Sequence, residues 1–313
     1  MNGVLIIDKP AGLTSHDVVN RVRRILRQRS VGHLGTLDPL ATGVLPLVIG
    51  HLTRLAQFYN SSEKTYEGVI RFGFATDTYD SDGEPSGSTQ EVKVSLEQLQ
   101  RLATRFRGSI EQTPPPFSAK KIRGVPAYKL ARNHQPPILQ PVQVEIKELE
   151  ILAAEADRAS FRARVASGTY MRSLAHDMGQ QMGCGAHLEC LRRAALGEFE
   201  LHQAHTLEEL ATAYEAGTTQ EMFVHPRRLL PLLPCVTVDN EAATYIRRGR
   251  AVNLPDFSLS RQVKVFLGQR ELIAIATRVA GTLFHAGIVL GGGGTGTDGW
   301  APGIRRPLRP PVR

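Results

Sequence analysis

The sequence predicts an α+β fold, in which strands and helices are both present without regular alternation. Alternating apolar and polar side chains over residues 65–74 indicate a half-buried strand. Apolar residues at helical spacing over residues 96–106, behind Ser95 with Gln98 three residues later, indicate a capped amphipathic helix. The length of 313 residues allows about two domains, so a sizeable core can be buried.

Local signals place the elements of the first third of the chain. The apolar run over residues 3–8 ends in a turn cluster with Pro10 and Gly12, and Ser15 is the expected N-cap of the helix that follows. One face of that helix is apolar and the other carries four arginines, which either form a solvated face or contact phosphate. The elements predicted here are a buried strand over 3–8, a helix over 15–26, a strand or bend over 43–50, a short helix over 52–59, the strand over 65–74, a polar loop over 77–87, and a helix over 95–108 with Leu96, Leu99, Leu102, Ala103 and Phe106 buried.

The local composition changes after residue 113. A proline run there leads into a basic stretch, which predicts a long inserted loop over residues 113–140. Two prolines near 231–234 mark a boundary, and the short strand-like segments over 236–290 predict a small β-rich module. Gly, Pro and Arg dominate residues 291–313, which are expected to be a disordered tail. Between the insert and the boundary we expect strands over 142–152 and 161–165 and helices over 171–182, 186–193 and 207–216, and beyond it a helix over 239–249.

The composition limits the function classes. The chain carries 38 Lys and Arg against 30 Asp and Glu, a net charge of +8, which points to a polyanionic partner such as nucleic acid. No apolar run is long enough to span a membrane, and the N-terminal apolar stretch is too short for a signal peptide. Three cysteines give no disulfide framework. We therefore expect a cytoplasmic protein that does not bind membranes.

Three motif matches fail on their context. The glycines over 294–299 match a dinucleotide-binding pattern, but too few residues follow to form the required βαβ unit. Cys184, His187 and Cys190 lack a fourth ligand at zinc-like spacing and are expected to be structural helix residues. The Asp80-x-Asp82-Gly83 stretch lacks the acidic end positions of a calcium loop. No metal site is predicted.

Residues 31–46 form the segment with the most restricted backbone composition, because three glycines and two prolines surround one carboxylate, Asp38. Glycine permits close backbone approach, and Pro39 keeps the preceding residue extended. On these grounds Asp38 is either a carboxylate displayed for chemistry or a turn aspartate that bonds its own backbone.

This segment, together with several other blocks in the same order, resembles the TruB family of tRNA pseudouridine-55 synthases. The resemblance covers nearly all of residues 3–249. One departure is Leu34, where many members have a small or polar residue. The matching blocks are residues 5–12 (LIIDKPAG), 31–46 (VGHLGTLDPLATGVLP), 64–66 (KTY), 76–83 (TDTYDSDG), 116–119 (PFSA) with Lys121 and Gly124, 167–172 (SGTYMR), and 183–193 (GCGAHLECLRR).

The resemblance implies a reaction and its residues. Uridine is isomerised to pseudouridine, which is redox-neutral and requires no cofactor. Asp38 would be the nucleophile or the base toward the sugar, Arg172 would pair with it, and Tyr66 would stack on the uracil. Substrate contacts are implied for His33, Tyr170, Leu191, Lys9 and Lys121. Asp80 would either contact RNA or support the site from behind, unless it is simply a solvated loop residue.

The resemblance also implies an architecture and a partner. The expected fold is the pseudouridine synthase fold, with a mixed, largely antiparallel sheet in a catalytic domain over residues 1–235. Residues 113–140 would form an RNA-clamping insert, and residues 236–290 a PUA-like RNA-binding domain. The substrate would be uridine 55 in the T-arm of tRNA, flipped out of its stack, and the protein would be a monomer. Two alternatives remain open, a non-catalytic RNA-binding factor and the same chemistry on another RNA.

Overall fold

Two large β-sheets, two short β-hairpins, five α-helices and four 3₁₀ helices are found in the part of the chain that the structure describes. The structure, a computed structural model, describes residues 1–117, 121–122, 125–126, 139–255 and 260–291. Most of the basic insert and residues 292–313, the bulk of the expected tail, lie outside these ranges. Among the described helices, none is both long and apolar enough to cross a bilayer.

The larger sheet has nine strands and carries the N-terminal half of the fold. Its order is β1-β3-β12-β4-β11-β10-β7, with β2 added at β3 and β13 at β12. Only the β3–β12 pairing is parallel among the described strands of this sheet, which confirms the predicted α+β class and the mixed, largely antiparallel sheet. These strands are β1 (Gly3–Lys9), β2 (Val31–His33), β3 (Thr42–Ile49), β4 (Lys64–Phe72), β7 (Gly108–Gln112), β10 (Val142–Glu155), β11 (Arg158–Val165), β12 (Ala186–Leu196) and β13 (Phe199–Glu200).

The helices largely follow the predicted ones. The 52–59 helix is a 3₁₀ helix over Gly50–Tyr59. The first helix is capped by Thr14, not by the predicted Ser15, because the Ser15 hydroxyl is buried against the backbone of Leu37. Ser95 and Thr206 cap their helices as predicted. The α-helices are α1 (Ser15–Ile25), α2 (Leu96–Thr104), α3 (Met171–Met182), α4 (Leu207–Glu215) and α5 (Asn240–Arg247).

The helix predicted over residues 186–193 is wrong, because this segment is strand β12 in the middle of the sheet. It pairs with β3 on one side and β4 on the other. Register shifts at Leu188/Cys190 and Arg193/Ala195 interrupt the two-residue alternation, so the sequence loses the periodicity that marks a strand. His187 and Cys190 are therefore strand residues.

Apolar side chains cover both faces of the large sheet. Alternate residues of β1 belong to different clusters, Leu5 and Ile7 to one that includes α1, α2 and α3, and Val4 and Ile6 to one that includes the 3₁₀ helix. Burial on both faces explains the continuous apolar run of this strand. Leu96, predicted to be buried in α2, is instead 38% exposed, because it lies in the first turn beside the cap.

The smaller sheet has five strands in the order β14-β16-β17-β18-β15, which confirms the predicted β-rich C-terminal region. Phe266, Leu272 and Ile275 join the cluster on the 3₁₀-helix face of the large sheet, so the two sheets share an apolar contact. The strands are β14 (Cys235–Val238), β15 (Val252–Asn253), β16 (Gln262–Leu267), β17 (Glu271–Ala280) and β18 (Leu283–Val289); two short hairpins comprise β5 (Ala75–Thr76) with β6 (Pro85–Ser86), and β8 (Lys121–Ile122) with β9 (Val125–Pro126).

Candidate active site

A single cleft collects most of the residues that the sequence singled out. Its volume is about 440 Å³, within the usual range for small-ligand sites. The loop before β3, the start of β4 and the turn that leads into α3 form its walls. The predicted site residues in its lining are His33, Asp38, Tyr66, Tyr170, Arg172 and Leu191.

Asp38 lies on a loop whose backbone is fixed by buried side chains on both sides. The Ser15 hydroxyl accepts from the amide of Leu37 at 2.8 Å and donates to its carbonyl at 3.1 Å. The Lys9 ammonium, fully buried, donates to the carbonyl of Pro39 at 3.2 Å. The Asp38 side chain itself is 41% exposed, so a restrained backbone presents an accessible carboxylate to the cleft.

Arg172, Asp38 and Asp80 form an ion-pair chain that we call the Arg172 network. Nε of Arg172 lies 3.0 Å from Oδ2 of Asp38, and its Nη1 lies 3.4 Å from Oδ2 of Asp80. The guanidinium also donates to the carbonyls of Thr78, at 3.2 Å, and Phe117, at 3.0 Å. Arg172 is only 7% exposed, so its direction, and that of the carboxylate it pairs with, is set by the fold.

Asp80 does not line the cleft, so of the two predicted roles the structure favours support of the site from behind Arg172 over direct RNA contact. Its carboxylate is 6% exposed and lies behind Arg172. Oδ1 accepts from the Thr78 hydroxyl at 2.5 Å and from the amide of Asp82 at 3.2 Å. Burial raises the pKa of Asp80 above its ordinary value, although the Thr78 hydrogen bond and Arg172 oppose the shift. Asp80 therefore acts on the cleft through Arg172.

Aromatic and apolar side chains make the rest of the cleft lining. Tyr66, on β4, and Leu191, on β12, are 7% and 8% exposed. Tyr170 directly precedes α3, and its backbone amide and carbonyl are held by the Gln112 side chain at 2.7 and 3.0 Å. Burial, followed by the charge of Arg193, lowers the pKa of His33. A planar base can thus meet an aromatic ring, an apolar wall and a carboxylate in one place.

Three cations, Lys9, Lys64 and Arg193, lie against the loop that carries Asp38 and form what we call the basic cluster. Burial, together with a smaller effect of the Arg193 charge, lowers the pKa of both Lys9 and Lys64 to about 8, although the Asp38 charge opposes the shift at Lys9. Lys64 is half-buried and lines the cleft. Lys9 was predicted to contact RNA, but its ammonium is fully buried and held by the carbonyls of Pro10 and Pro39, so it supports the loop.

Sequence reasoning missed Ser15 as a loop contact, and missed Lys64 and Arg193 altogether. Lys64 and Arg193 stand inside blocks that carry the resemblance, KTY and CLRR, so their motifs pointed to them. The side chain of Lys121 and most of the expected clamping insert lie outside the described residues. Among the described side chains, no group of three or more His, Cys, Asp or Glu is arranged to hold a metal ion.

Two family models cover most of the chain. Residues 23–171 match the TruB family pseudouridylate synthase N-terminal domain, which includes Asp38 and Tyr66. Residues 172–234 match the tRNA pseudouridylate synthase B C-terminal domain, which begins at Arg172.

Similar whole proteins and structures agree with these matches. The tRNA pseudouridine synthase B of Solibacter usitatus is 50% identical over 293 residues, 93% of this chain and 100% of the relative. That of Aquifex aeolicus is 39% identical over 269 residues, 85% of this chain and 92% of the relative.

Among solved structures, a chain of a Cbf5-Nop10-Gar1 complex has a TM-score of 0.69 at 26% identity, covering 92% of this chain and 84% of its own length. A chain of an H/ACA RNP bound to a substrate RNA containing 2′-deoxyuridine also has a TM-score of 0.69, at 24% identity, covering 93% of this chain and 85% of its own length. These likenesses confirm the expected pseudouridine synthase fold. With its fold and two consecutive family models in agreement, the chain belongs to the TruB family of pseudouridylate synthases.

Proposed function

We propose that this protein converts uridine 55 in the T-arm of tRNA to pseudouridine. One observation carries the proposal: an accessible carboxylate, Asp38, is ion-paired at 3.0 Å with a buried guanidinium, in a cleft that also holds Tyr66 and Leu191. The relatives with this architecture are named tRNA pseudouridine synthase B, which supports tRNA as the substrate class.

The reaction rearranges one nucleotide without adding or removing atoms. The N1–C1′ glycosidic bond breaks, the detached uracil turns, and a C5–C1′ bond forms. The proton on C5 is then lost to a base, and N1 gains a proton. In this proposal Asp38 either attacks C1′ and is later displaced by C5, or removes a proton from the sugar and returns it. Both routes regenerate the carboxylate, so no co-reactant is consumed.

Arg172 and Tyr66 would assist this cycle in different ways. The guanidinium pairs with the Asp38 carboxylate and fixes its direction toward the sugar, because it is itself held by Asp80 and two carbonyls. The Tyr66 ring offers a face on which uracil can stack, and its hydroxyl can take part in the late proton transfer.

The target base must leave its stack in the folded RNA before it reaches Asp38. Flipping costs about a few kcal/mol, which contacts in the cleft must offset. His33 stands at the cleft edge on β2, where it can contact the RNA from which the base has left. Stacking on Tyr66 and apolar contact with Leu191 would supply part of the compensation.

Phosphate contacts would hold the folded RNA over the cleft. A surface groove on α1 and the turn after it is lined by Arg23, Arg24, Arg27, Gln28 and Arg29. We propose the same role for the basic insert over residues 113–140 of a catalytic domain over 1–235, and for residues 236–290 as a PUA-like RNA-binding domain. Such contacts recognise the shape and charge of RNA more than its sequence.

The test compares the purified wild-type protein with Asp38→Asn on an unmodified tRNA transcript labelled with [5-³H]uridine. Wild type should release tritium and place pseudouridine at position 55, while Asp38→Asn, which keeps the shape but loses the charge, should lower the rate by at least about 10³-fold. Asp82→Asn, an exposed carboxylate of the β5–β6 hairpin, is the matched control and should keep the wild-type rate.

Each alternative has its own outcome in this experiment. RNA binding without tritium release by the wild type would indicate a non-catalytic RNA-binding factor. Release that persists from a transcript with cytidine at position 55 would contradict the proposed target. Full turnover by Asp38→Asn would contradict the proposed chemistry.

A further inference from the structure

Arg193, on β12, is a buried cation whose partners are neutral groups. Its side chain is fully buried, with 0% exposure. Nε donates to the carbonyl of Val44 at 2.7 Å, Nη1 to Thr36 at 3.3 Å and Nη2 to Gly35 at 3.1 Å. No carboxylate in the described part of the chain lies within ion-pair distance of it. Burying a charge in this way is costly, so its retention calls for a role.

The carbonyls that Arg193 binds stand on both sides of Asp38. Gly35 and Thr36 precede the aspartate, and Val44 follows it in β3. The backbone of Arg193 also packs against Gly43, where a Cβ would lie 2.3 Å from the Arg193 carbonyl oxygen and φ is +97°. One residue thus ties the two ends of the Asp38 loop to the centre of the sheet.

Arg193 also stands beside the second functional group of the cleft. It is the register partner of Tyr66 across the β4–β12 pairing, so the two side chains are neighbours on the same face of the sheet. A planar guanidinium with five donors can serve several acceptors at fixed angles, which neither an ammonium nor an apolar side chain can do.

We propose that Arg193 is a positioning residue of the pseudouridine-forming reaction, which fixes the Asp38 loop relative to the strand that carries Tyr66. The inference rests on the proposed function. Arg193 acts through these two groups and does not touch RNA, because it is fully buried beneath the loop. Its loss therefore affects the chemical step, for which a displacement of about 1 Å can cost about 10²-fold, more than it affects substrate binding.

The test measures kcat and KM of Arg193→Met and Arg193→Lys per folded molecule, beside Lys264→Met as a matched control. Lys264 is also buried, at 1% exposure, and its ammonium donates to the carbonyls of Arg227 and Leu229, in the C-terminal region. Any loss of activity that follows merely from removing a buried cation should appear in both Arg193→Met and Lys264→Met. A loss specific to positioning should appear at Arg193 alone.

Arg193→Met should lower kcat about 100-fold and change KM less than about 3-fold. Arg193→Lys, which keeps the charge but not the planar set of five donors, should lower kcat about 10-fold. Lys264→Met should reduce the unfolding temperature and leave kcat within about 2-fold. If Arg193→Met does not fold, Arg193→Lys decides the matter, because wild-type kcat in that variant overturns the proposal. An equal kcat loss in Lys264→Met also overturns it.

A second readout follows the charge of Arg193 through NMR titration of His33. Burial and then the Arg193 charge hold the His33 pKa below its ordinary value, so it should rise in Arg193→Met and stay in place in Arg193→Lys and Lys264→Met. An unchanged His33 pKa in Arg193→Met would overturn the placement of the guanidinium. Failure of the wild type to form pseudouridine would instead contradict the proposed function, so the two failures are distinct.

Discussion

The Arg172 network and the basic cluster hold their arginines in opposite ways, although both border the Asp38 loop. Arg172 pairs with two carboxylates, at 3.0 and 3.4 Å. Arg193 is bound by three backbone carbonyls and has no carboxylate partner among the described residues. One arginine therefore meets the side chain of Asp38, and the other meets the backbone that carries it.

This difference separates two factors that place the reacting carboxylate: the direction of the Asp38 side chain and the position of its backbone. The Arg172 network contains two carboxylates and one guanidinium, so losing the cation leaves like charges together. The basic cluster contains three cations, so it supplies positive potential to the cleft and hydrogen bonds to the loop. The Arg172 network should govern the direction of the Asp38 carboxylate, and the basic cluster should govern loop geometry and phosphate attraction.

The largest effect is expected when the Arg172 network is broken. Arg172→Met should lower kcat by roughly 10²–10³-fold, because Asp38 loses the group that directs it. The same variant should lose about 3 kcal/mol of stability at pH 8, because it leaves Asp80 buried and unpaired. Single-turnover kinetics and urea unfolding measure the two losses separately.

The double variant Arg172→Met/Asp80→Asn is the control for that experiment. Removing the buried charge together with its partner should restore most of the stability and none of the activity. Recovery of kcat along with stability would show that Arg172 serves folding only. The two arginines would then no longer differ in that one acts on the Asp38 side chain and the other on its backbone.

The sequence predicted the Arg172 network better than the basic cluster, for a physical reason. Asp38 and Arg172 are predicted because the family resemblance assigns a role to each of them. Arg193 acts by bonding the backbone of a segment about 150 residues away, with |i−j| of 157 and 158 to Thr36 and Gly35. Such a contact depends on how distant segments pack together. Because the acceptors are backbone carbonyls, the residue types at these positions do not indicate it.

The same limit explains which parts of the fold were predictable. α3 and α4 have clear helical spacing, and the predicted helix over 171–182 is confirmed at Met171–Met182. β12 fails because its two register shifts hide the alternation, and its conformation is imposed by the strands on both sides. Ser15 fails as a cap because a tertiary contact with Leu37 competes for its hydroxyl. Local signals identified elements, and long-range contacts decided the exceptions.

A moderate effect is expected from Lys64, the cleft-lining member of the basic cluster. Because burial holds the Lys64 pKa at about 8, the ammonium loses its charge between pH 7 and pH 9 and attracts phosphate less. KM for tRNA should therefore rise about 3-fold over this range in the wild type. In Lys64→Arg, which stays charged at this position, the rise of KM should be clearly smaller, and the remainder belongs to Lys9, whose pKa is also about 8.

Lys147→Arg is the matched control, since Lys147 is a surface lysine paired with Glu63 and that pairing raises its pKa. It should keep the wild-type rise of KM with pH. If Lys64→Arg also keeps that rise, the basic cluster does not contribute its charge to RNA binding, and its role is confined to the loop.

The smallest effect concerns Asp177, a carboxylate on α3 that stands outside the Arg172 network. It has no hydrogen-bond or ion-pair partner among the described residues, and burial raises its pKa from 3.8 to about 6. Between about pH 4 and pH 6 the folded state therefore binds more protons than the unfolded state, so this residue makes stability fall as the pH rises.

Asp177→Asn removes that dependence. Relative to wild type, its free energy of unfolding should gain about 1 kcal/mol between pH 4.5 and pH 7, a value reduced to allow for the partial exposure of the carboxylate. Urea unfolding at both pH values measures it, and Glu215→Gln, at an exposed carboxylate on α4, should show no such change. A pH-independent difference for Asp177→Asn would mean that folding does not raise the pKa of Asp177. A loss in place of the gain would mean that Asp177 is paired after all, because pairing lowers the pKa of a carboxyl. The contrast would then no longer lie between paired and unpaired charges on α3, because Asp177 as well as Arg172 would be neutralised by a partner.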